Sequence, residues 1–239
     1  MDEPIRYFYK KAGFNPAHIK RYVIGEKFFG LMLNNGRVGL CSNLGLSVDE
    51  SLLRNHTEPD LSLQEHRIVI NAWLNATYNY ENVYEACFDI FDRLDFSNYR
   101  SIVMIGFFES LYEKFSNAGI NLKVFDRVIE NPVIEPLSDM ASALMKADAV
   151  IITGTTIFNE TFIRITESTG DQSNIFLLGP SNILHRDMFK YRNVKMVFGS
   201  VFENKDNGIL DHILEGYSAR DFLTSKNKVY IKSNDFNIR

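Results

Sequence analysis

The sequence predicts an α/β protein: a small N-terminal α+β domain, then a Rossmann-like domain with a mostly parallel sheet. Three observations predict it. Three apolar runs in the second half each end in glycine with small or hydroxyl residues: Ile102-Val103-Met104-Ile105-Gly106, Ala149-Val150-Ile151-Ile152-Thr153-Gly154 and Asn174-Ile175-Phe176-Leu177-Leu178-Gly179-Pro180-Ser181. Unbroken runs of this kind suit strands buried on both faces of a parallel sheet. From Ser101 onward such runs alternate with helical patterns, as right-handed βαβ crossovers require. Before that point the chain shows no such alternation and opens with a hairpin signal.

The elements follow in order. Residues 21–24 supply a strand. Residues 28–33 and 37–41 pair as a hairpin across Asn34-Asn35-Gly36, where Asn35-Gly36 tolerates the positive φ angles of a tight primed turn. A helix is expected over 62–78, with Ser62 and Glu65 as a capping box, and helical spacing continues over 83–94. Residues 95–100 are polar and aperiodic, which places a domain boundary there, giving domains of 1–96 and 97–239. Strands are then expected at 102–105, 122–125, 149–153, 174–178 and 194–198. Helices are expected at 109–118 (closed by Gly119), 138–146, 159–168, 186–191 and 206–215. Residues 229–231 read as a short edge strand or a free end.

Composition narrows the function classes. The 239 residues hold 26 Lys and Arg against 30 Asp and Glu, a formal charge of −4, and the basic residues are scattered. With no basic stripe interleaved with aromatics, nucleic acid is not expected as a partner. The longest apolar runs are of strand length, so no membrane span is expected, and the opening residues lack a signal-peptide pattern. Two cysteines, Cys41 and Cys87, lie far apart in sequence and outside any C-x-x-C pair. Reduced thiols in a cytoplasmic protein are the expectation.

Loops leaving the carboxyl ends of parallel strands form the usual ligand crevice of an open α/β sheet. Gly106, Phe107 and Glu109 occupy the first such turn, where a glycine lets a ligand approach the backbone. Asp126 ends the next strand, the place of a ribose-binding carboxylate in Rossmann-type sites. A dinucleotide is disfavoured, because G-x-G-x-x-G is missing and Phe107-Phe108 sit where small residues would admit a pyrophosphate. Thr153, Gly154, Thr155, Thr156 and Asn159 form the richest polar cluster, able to surround a carboxylate, a phosphate or a metal-bound water, or simply to serve as turn and cap residues. Gly179, Pro180 and Ser181 end a further strand. His185 is the histidine expected nearest the crevice, and His56 and Glu58 could converge with His66 on an acidic loop. No H-x-x-x-H, paired cysteines or G-x-S-x-G is present, so neither a preformed heavy-metal cage nor a nucleophilic triad can be assigned. Glu109 with Asp126 could act as an acid/base pair if burial raised one of them.

At these residues the chain resembles the "putative heavy-metal chelation" family. The signatures are Ile105-Gly106-Phe107-Phe108, residues 147–156 with Asn159, Leu178-Gly179-Pro180-Ser181 and Phe198-Gly199-Ser200. The 34–40 hairpin and residues 71–76 match more loosely. The resemblance implies an N-terminal domain like that of enolases, a Rossmann-like second domain and a ligand cleft between them. Asn75 would then face Gly106, Thr155, Asn159 and Ser181 across that cleft. The cofactor is unnamed, with a divalent or heavy metal being what the family label implies. Short chain before the hairpin and Tyr78-Asn79-Tyr80 after Asn75-Ala76 depart from the family pattern.

The expected function is a ligand-binding protein that holds a heavy metal or metal chelate between its domains. The alternative is an enzyme acting on a nucleotide-like or carboxylated metabolite. The expected partner is a small molecule or metal chelate, and a homodimer is left open.

Overall fold

The computed structural model describes residues 1–54, 58–82, 84–86 and 89–236. Helix α1 (Pro4–Ala12) opens the chain with Pro4 in its first turn, where the missing N–H would have lacked an intrahelical partner anyway. This helix was not anticipated. Strands β1 (Ile19–Ile24), β2 (Phe28–Leu33) and β3 (Val38–Ser42) then form an antiparallel meander. The expected hairpin is present, with a different turn. The Leu33 N–H donates to the Arg37 carbonyl, the Leu33 carbonyl accepts from the Gly36 N–H, and within the turn Gly36 alone has a positive φ. This is a three-residue loop closed by a left-handed glycine rather than a two-residue primed turn.

After α2 (Ser51–Arg54), helix α3 (Gln64–Tyr78) packs against β2 and β3 and also touches α1. The capping box expected at its start does not form. The Ser62 hydroxyl bonds Asp60, whose own backbone N–H is taken by His66 Nδ1, so the helix begins two residues later without a side-chain cap.

The remaining elements are β4 (Glu85–Ala86), β5 (Ile102–Ile105), α4 (Glu109–Asn117), β6 (Leu122–Phe125), α5 (Met140–Lys146), β7 (Ala149–Thr153), α6 (Thr155–Phe158), α7 (Phe162–Glu167), β8 (Asn174–Leu178), β9 (Val194–Ser200), α8 (Asn207–Leu214), α9 (Ala219–Phe222) and β10 (Lys228–Lys232). Their strands form one seven-stranded sheet in the order β4-β10-β9-β8-β7-β5-β6. Strands β5 to β9 are parallel, as expected, and β10 runs antiparallel to β9. The chain steps outward from β5 to β6, then returns past β5 to β7 and continues to β8 and β9. The direction of winding thus reverses between β5 and β7, and that reversal opens a crevice at their carboxyl ends.

Several expectations change. Among the described residues of 83–94 there is a two-residue strand and a 3-10 turn at Ile90–Asp92, not a helix. Asp89 and Asp92 cap that turn reciprocally, and Glu85–Ala86 pair with β10. Val83 and Cys87 lie outside the described residues, as does His56. The helix expected over 159–168 is shorter, α7 alone, and is separated from the preceding α6 because Asn159 Oδ1 caps Thr161 and Glu160 takes a φ of 64°. Segment 186–191 is a 3-10 turn (Arg186–Lys190). The strand at 228–232 is internal, covered by β9 on one side and β4 on the other.

The two sheets share one core. Phe29 and Leu31 of the meander belong to the same buried cluster as Val103, Val150 and Leu177 of the large sheet, with α3 between them. Helix α8 packs back on β1 and β2. Helix α3 also has a polar stripe at four-residue spacing, Arg67, Asn71, Asn75 and Asn79, all buried. Arg67 is fully buried and grips both carboxylate oxygens of Glu3 at 2.6 and 2.8 Å. It also donates to the backbone carbonyls of Leu61, Ile157 and Phe158, the last two at the end of α6.

Breaking a buried ion pair by removing one partner costs about 3–5 kcal/mol, since the remaining groups are left uncompensated. Arg67→Met is therefore expected to lower stability by that order in urea denaturation, whereas Arg164→Met, at an exposed position, changes it by less than about 0.5 kcal/mol. Equal stabilities for the two variants would refute the assigned role of Arg67.

Candidate functional site

A cleft of about 800 Å³ lies at the reversal point of the large sheet. Its floor is Gly106 and Thr153, from the ends of β5 and β7. Lys27 and Asn43 come from the meander's loops, Asp126 and Arg127 from the turn after β6, and Arg164 from α7. Gly106 has a φ of 91°, and a Cβ placed there would sit 2.7 Å from the Thr153 side chain. Both the backbone conformation and the contact with β7 thus call for glycine. The rim is apolar: Leu44, Val128, Ile129 and Leu137 line the cleft and are exposed.

Much of the polar cluster satisfies itself. Thr153 Oγ1 accepts from the Thr155 N–H and hydroxyl at 3.4 and 3.3 Å, and the Thr156 hydroxyl donates to the Thr153 carbonyl. Gly154 is buried and its N–H continues the ladder to Leu178. Asn159 Oδ1 caps Thr161, and its Nδ2 has no partner among the described residues. The Asp126 carboxylate accepts from the N–H groups of Phe107, Val128 and Ile129 at 2.8–3.0 Å. It ties the Gly106-Phe107 turn to its own loop, so its lone pairs are largely used in shaping the cleft.

Of the sequence-derived candidates, Gly106, Phe107, Asp126, Thr153, Thr155, Thr156 and Asn159 line this cleft, and Gly154 lies in the same turn. Glu109 is exposed at the start of α4 and is not part of the lining, so the acid/base pair with Asp126 is not assembled there. Gly179 and Pro180 border a neighbouring cavity. Asn75 and Ser181 are almost fully buried where α3 meets the loop after β8. Asn75 Nδ2 donates to the carbonyls of Leu40 and Pro180, while Ser181 Oγ accepts from the Ser42 N–H.

His185 is not at the crevice. It packs against Phe8 and Tyr78, and its Nδ1 accepts from the Asp187 N–H. Burial and the nearby Lys11 ammonium push its pKa down to about 4. Burial raises the Asp187 carboxyl, but hydrogen bonds from Lys190, Tyr7 and Lys11 outweigh it and hold the group well below its usual range.

Residue reasoning alone missed the cations of the cleft. Arg127 and Arg164 line it, and neither has a carboxylate partner among the described residues. Arg127 was within reach of the reasoning, since it directly follows Asp126. Arg164 was not, because no local signal tells which side of α7 meets the turn after β6. No group of three His, Cys, Asp or Glu able to hold a metal occurs among the described residues. Cys41 is fully buried, and burial pushes its thiol up to about 12, far from the thiolate that binds metal. The cleft offers hydroxyls, amides and two carboxylates, Glu26 and Asp126, the latter held by three backbone amides, and its lining has no imidazole or thiolate, which does not fit a directly ligated soft heavy metal.

Residues 89–232 match the model of the DUF364 family, described as "Putative heavy-metal chelation". The chain belongs to that family. Two solved members of the family, both described as proteins of unknown function, share the fold along its length. One from Desulfitobacterium hafniense DCB-2 is 20% identical with a TM-score of 0.71, covering 95% of this chain and 98% of its own. One from Pyrococcus horikoshii is 17% identical with a TM-score of 0.77, covering 95% and 99%. No curated protein matches the chain. No helix among the described residues is long and apolar enough to cross a membrane.

Two outcomes follow for this family member. Gly106→Ala forces both a positive φ and the clash with Thr153, so it is expected to lower the melting temperature by several degrees and to distort the cleft. A wild-type melting curve would contradict the conformation assigned here. His185 has a folded pKa below its ordinary 6.5. The unfolded chain therefore binds the extra proton first, and stability is fully present above about pH 6.5 and falls as pH drops toward 4. Asp187 adds a loss in the same direction below its own ordinary range. His185→Asn keeps a capping oxygen but cannot titrate, and is expected to flatten the melting temperature between pH 6.5 and 4. An unchanged slope would show that His185 is not the responsible group.

Proposed function

We propose that the cleft binds a small anionic organic ligand, and that a heavy metal reaches this protein as the chelate of such a ligand. The observation that supports this best is the pair of guanidiniums, Arg127 and Arg164, lining a cleft at the sheet's reversal point, neither of them in an ion pair among the described residues. Guanidinium is the usual partner of carboxylate and phosphate, whose planar oxygens it meets with paired hydrogen bonds. Thr155 and the Asn159 amide add neutral hydrogen-bonding groups. On the meander's side Lys27 adds a positive charge beside the Glu26 carboxylate, and the Asp126 carboxylate is largely occupied by its three backbone amides. A chelate brings its own donor atoms, so the protein need supply only charge complementarity and shape. The apolar rim would contact the carbon skeleton.

Thermal unfolding against citrate, ferric citrate, ADP and free Zn²⁺ tests this. Ligand at 100 times its dissociation constant stabilises the folded state by about 2.7 kcal/mol, roughly 5–10 °C for a chain of this length. Citrate and ferric citrate are expected to raise the midpoint, and free Zn²⁺ is not. The double variant Arg127→Ala/Arg164→Ala should weaken the citrate response at least about tenfold. A response to free Zn²⁺ that persists in the double variant would overturn the anionic-ligand reading, and a response to ADP alone would favour the nucleotide-like alternative.

A further inference from the structure

A second cavity, of about 240 Å³, adjoins the cleft. Phe108, Leu111, Leu178, Pro180, Leu223 and Val229 give it a mainly apolar lining, and the charged Asp89, Arg220 and Lys228 also border it. The two spaces are separated by very little. Phe107 lines the cleft and the next residue, Phe108, lines the cavity, while Ala219 at the start of α9 borders both. Gly179 stands at the cavity with a φ of 118°, and a Cβ placed there would meet nothing closer than 3.9 Å. Its glycine is thus demanded by backbone conformation and not by crowding, and the space beside it is open.

Size decides what such a cavity can take. It exceeds the roughly 150 Å³ of an apolar cavity known to admit benzene, and it is smaller than the roughly 300 Å³ at which pockets begin to hold a whole drug-sized molecule. One ring or a short alkyl chain fits, and a complete metabolite does not. A cavity of that size is therefore best read as part of a larger site, and the larger space lies across Ala219.

We infer that the cavity is the second compartment of the ligand site. It takes the apolar end of the molecule, a single ring or short alkyl chain, whose anionic end lies in the cleft, with Phe107, Phe108 and Ala219 as the partition between them. This rests on the reading of the cleft as an anion site. It makes amphipathic acids the preferred ligand class, with compact polyacids such as citrate using the cleft alone.

Two titrations separate this inference from the reading beneath it. In methyl-resolved NMR, neutral benzyl alcohol is expected to shift the methyl signals of Leu111, Leu223 and Val229 and not that of Leu31 in the meander. Leu223→Trp and Ser110→Trp, the latter at an exposed position on the cavity wall, should each abolish those shifts. Absence of the shifts in the wild-type protein overturns the compartment, whatever the cleft binds. In calorimetry, 3-phenylpropionate is expected to bind at least about tenfold more tightly than acetate, as burial of a ring's apolar surface requires. That advantage should vanish in Ser110→Trp and Leu223→Trp, while Arg127→Ala/Arg164→Ala weakens both acids and leaves the benzyl alcohol shifts intact. Benzyl alcohol binding alongside equal affinities for the two acids would overturn the shared ligand, and acid binding indifferent to both arginines would overturn the anion reading itself.

Discussion

A backbone segment that crosses a protein interior outside helix or sheet must still find partners for its N–H and C=O groups. Residues 179–184 are such a segment, running between the meander and the large sheet. Helix α3 supplies their partners, with one polar side chain per turn. Asn71 donates to the Ser181 carbonyl, Asn75 to that of Pro180, and Asn79 to that of Asn182 while accepting from the Leu184 N–H. Asn182 in turn donates to Phe198 in β9. Four-residue spacing puts these amides on one face of the helix, and its Ile68, Val69, Ile70, Ala72, Leu74 and Ala76 belong to the apolar core. The separation and orientation of the two sheets are thereby fixed through named hydrogen bonds as well as by hydrophobic burial.

The same helix sets the cleft. One turn before Asn71, Arg67 binds the carbonyls at the end of α6, the short helix that begins with Thr155. The cleft's hydroxyl-bearing turn is therefore anchored to the helix that supports the meander's side of the cleft. Asp126 performs a parallel task on the opposite wall, where three backbone amides hold its carboxylate. Groups that look like chemistry in the sequence are here largely used as structure, while Arg127 and Arg164 stay exposed at the cleft. The buried polar network thus holds the cleft residues in place.

Much of the architecture was legible from residue patterns because the signals were local. Unbroken apolar runs marked β5, β7 and β8, Gly119 marked the end of α4, and the hairpin at 28–42 followed from its turn residues. Where periodicity misled, a stronger local bond won. The helical spacing over 83–94 gave way to the reciprocal Asp89–Asp92 cap and to pairing of Glu85–Ala86 with a strand more than a hundred residues distant. Ser62 turned back to Asp60 instead of capping α3.

By itself, then, the sequence determined the α/β class, the parallel strands and the separate turns that carry Gly106, Thr153 and Asn159, because apolar periodicity and turn chemistry act between near neighbours. Tertiary structure alone decided the rest. It spent Asn75 and Ser181 on joining the sheets, moved His185 away from the crevice onto Phe8 and Tyr78, made 228–232 an internal strand, and brought Arg127 and Arg164 from separate elements to one wall. Each of these depends on which distant groups become buried together. That choice is made by the desolvation cost of polar groups across the whole fold, and no window of sequence contains it.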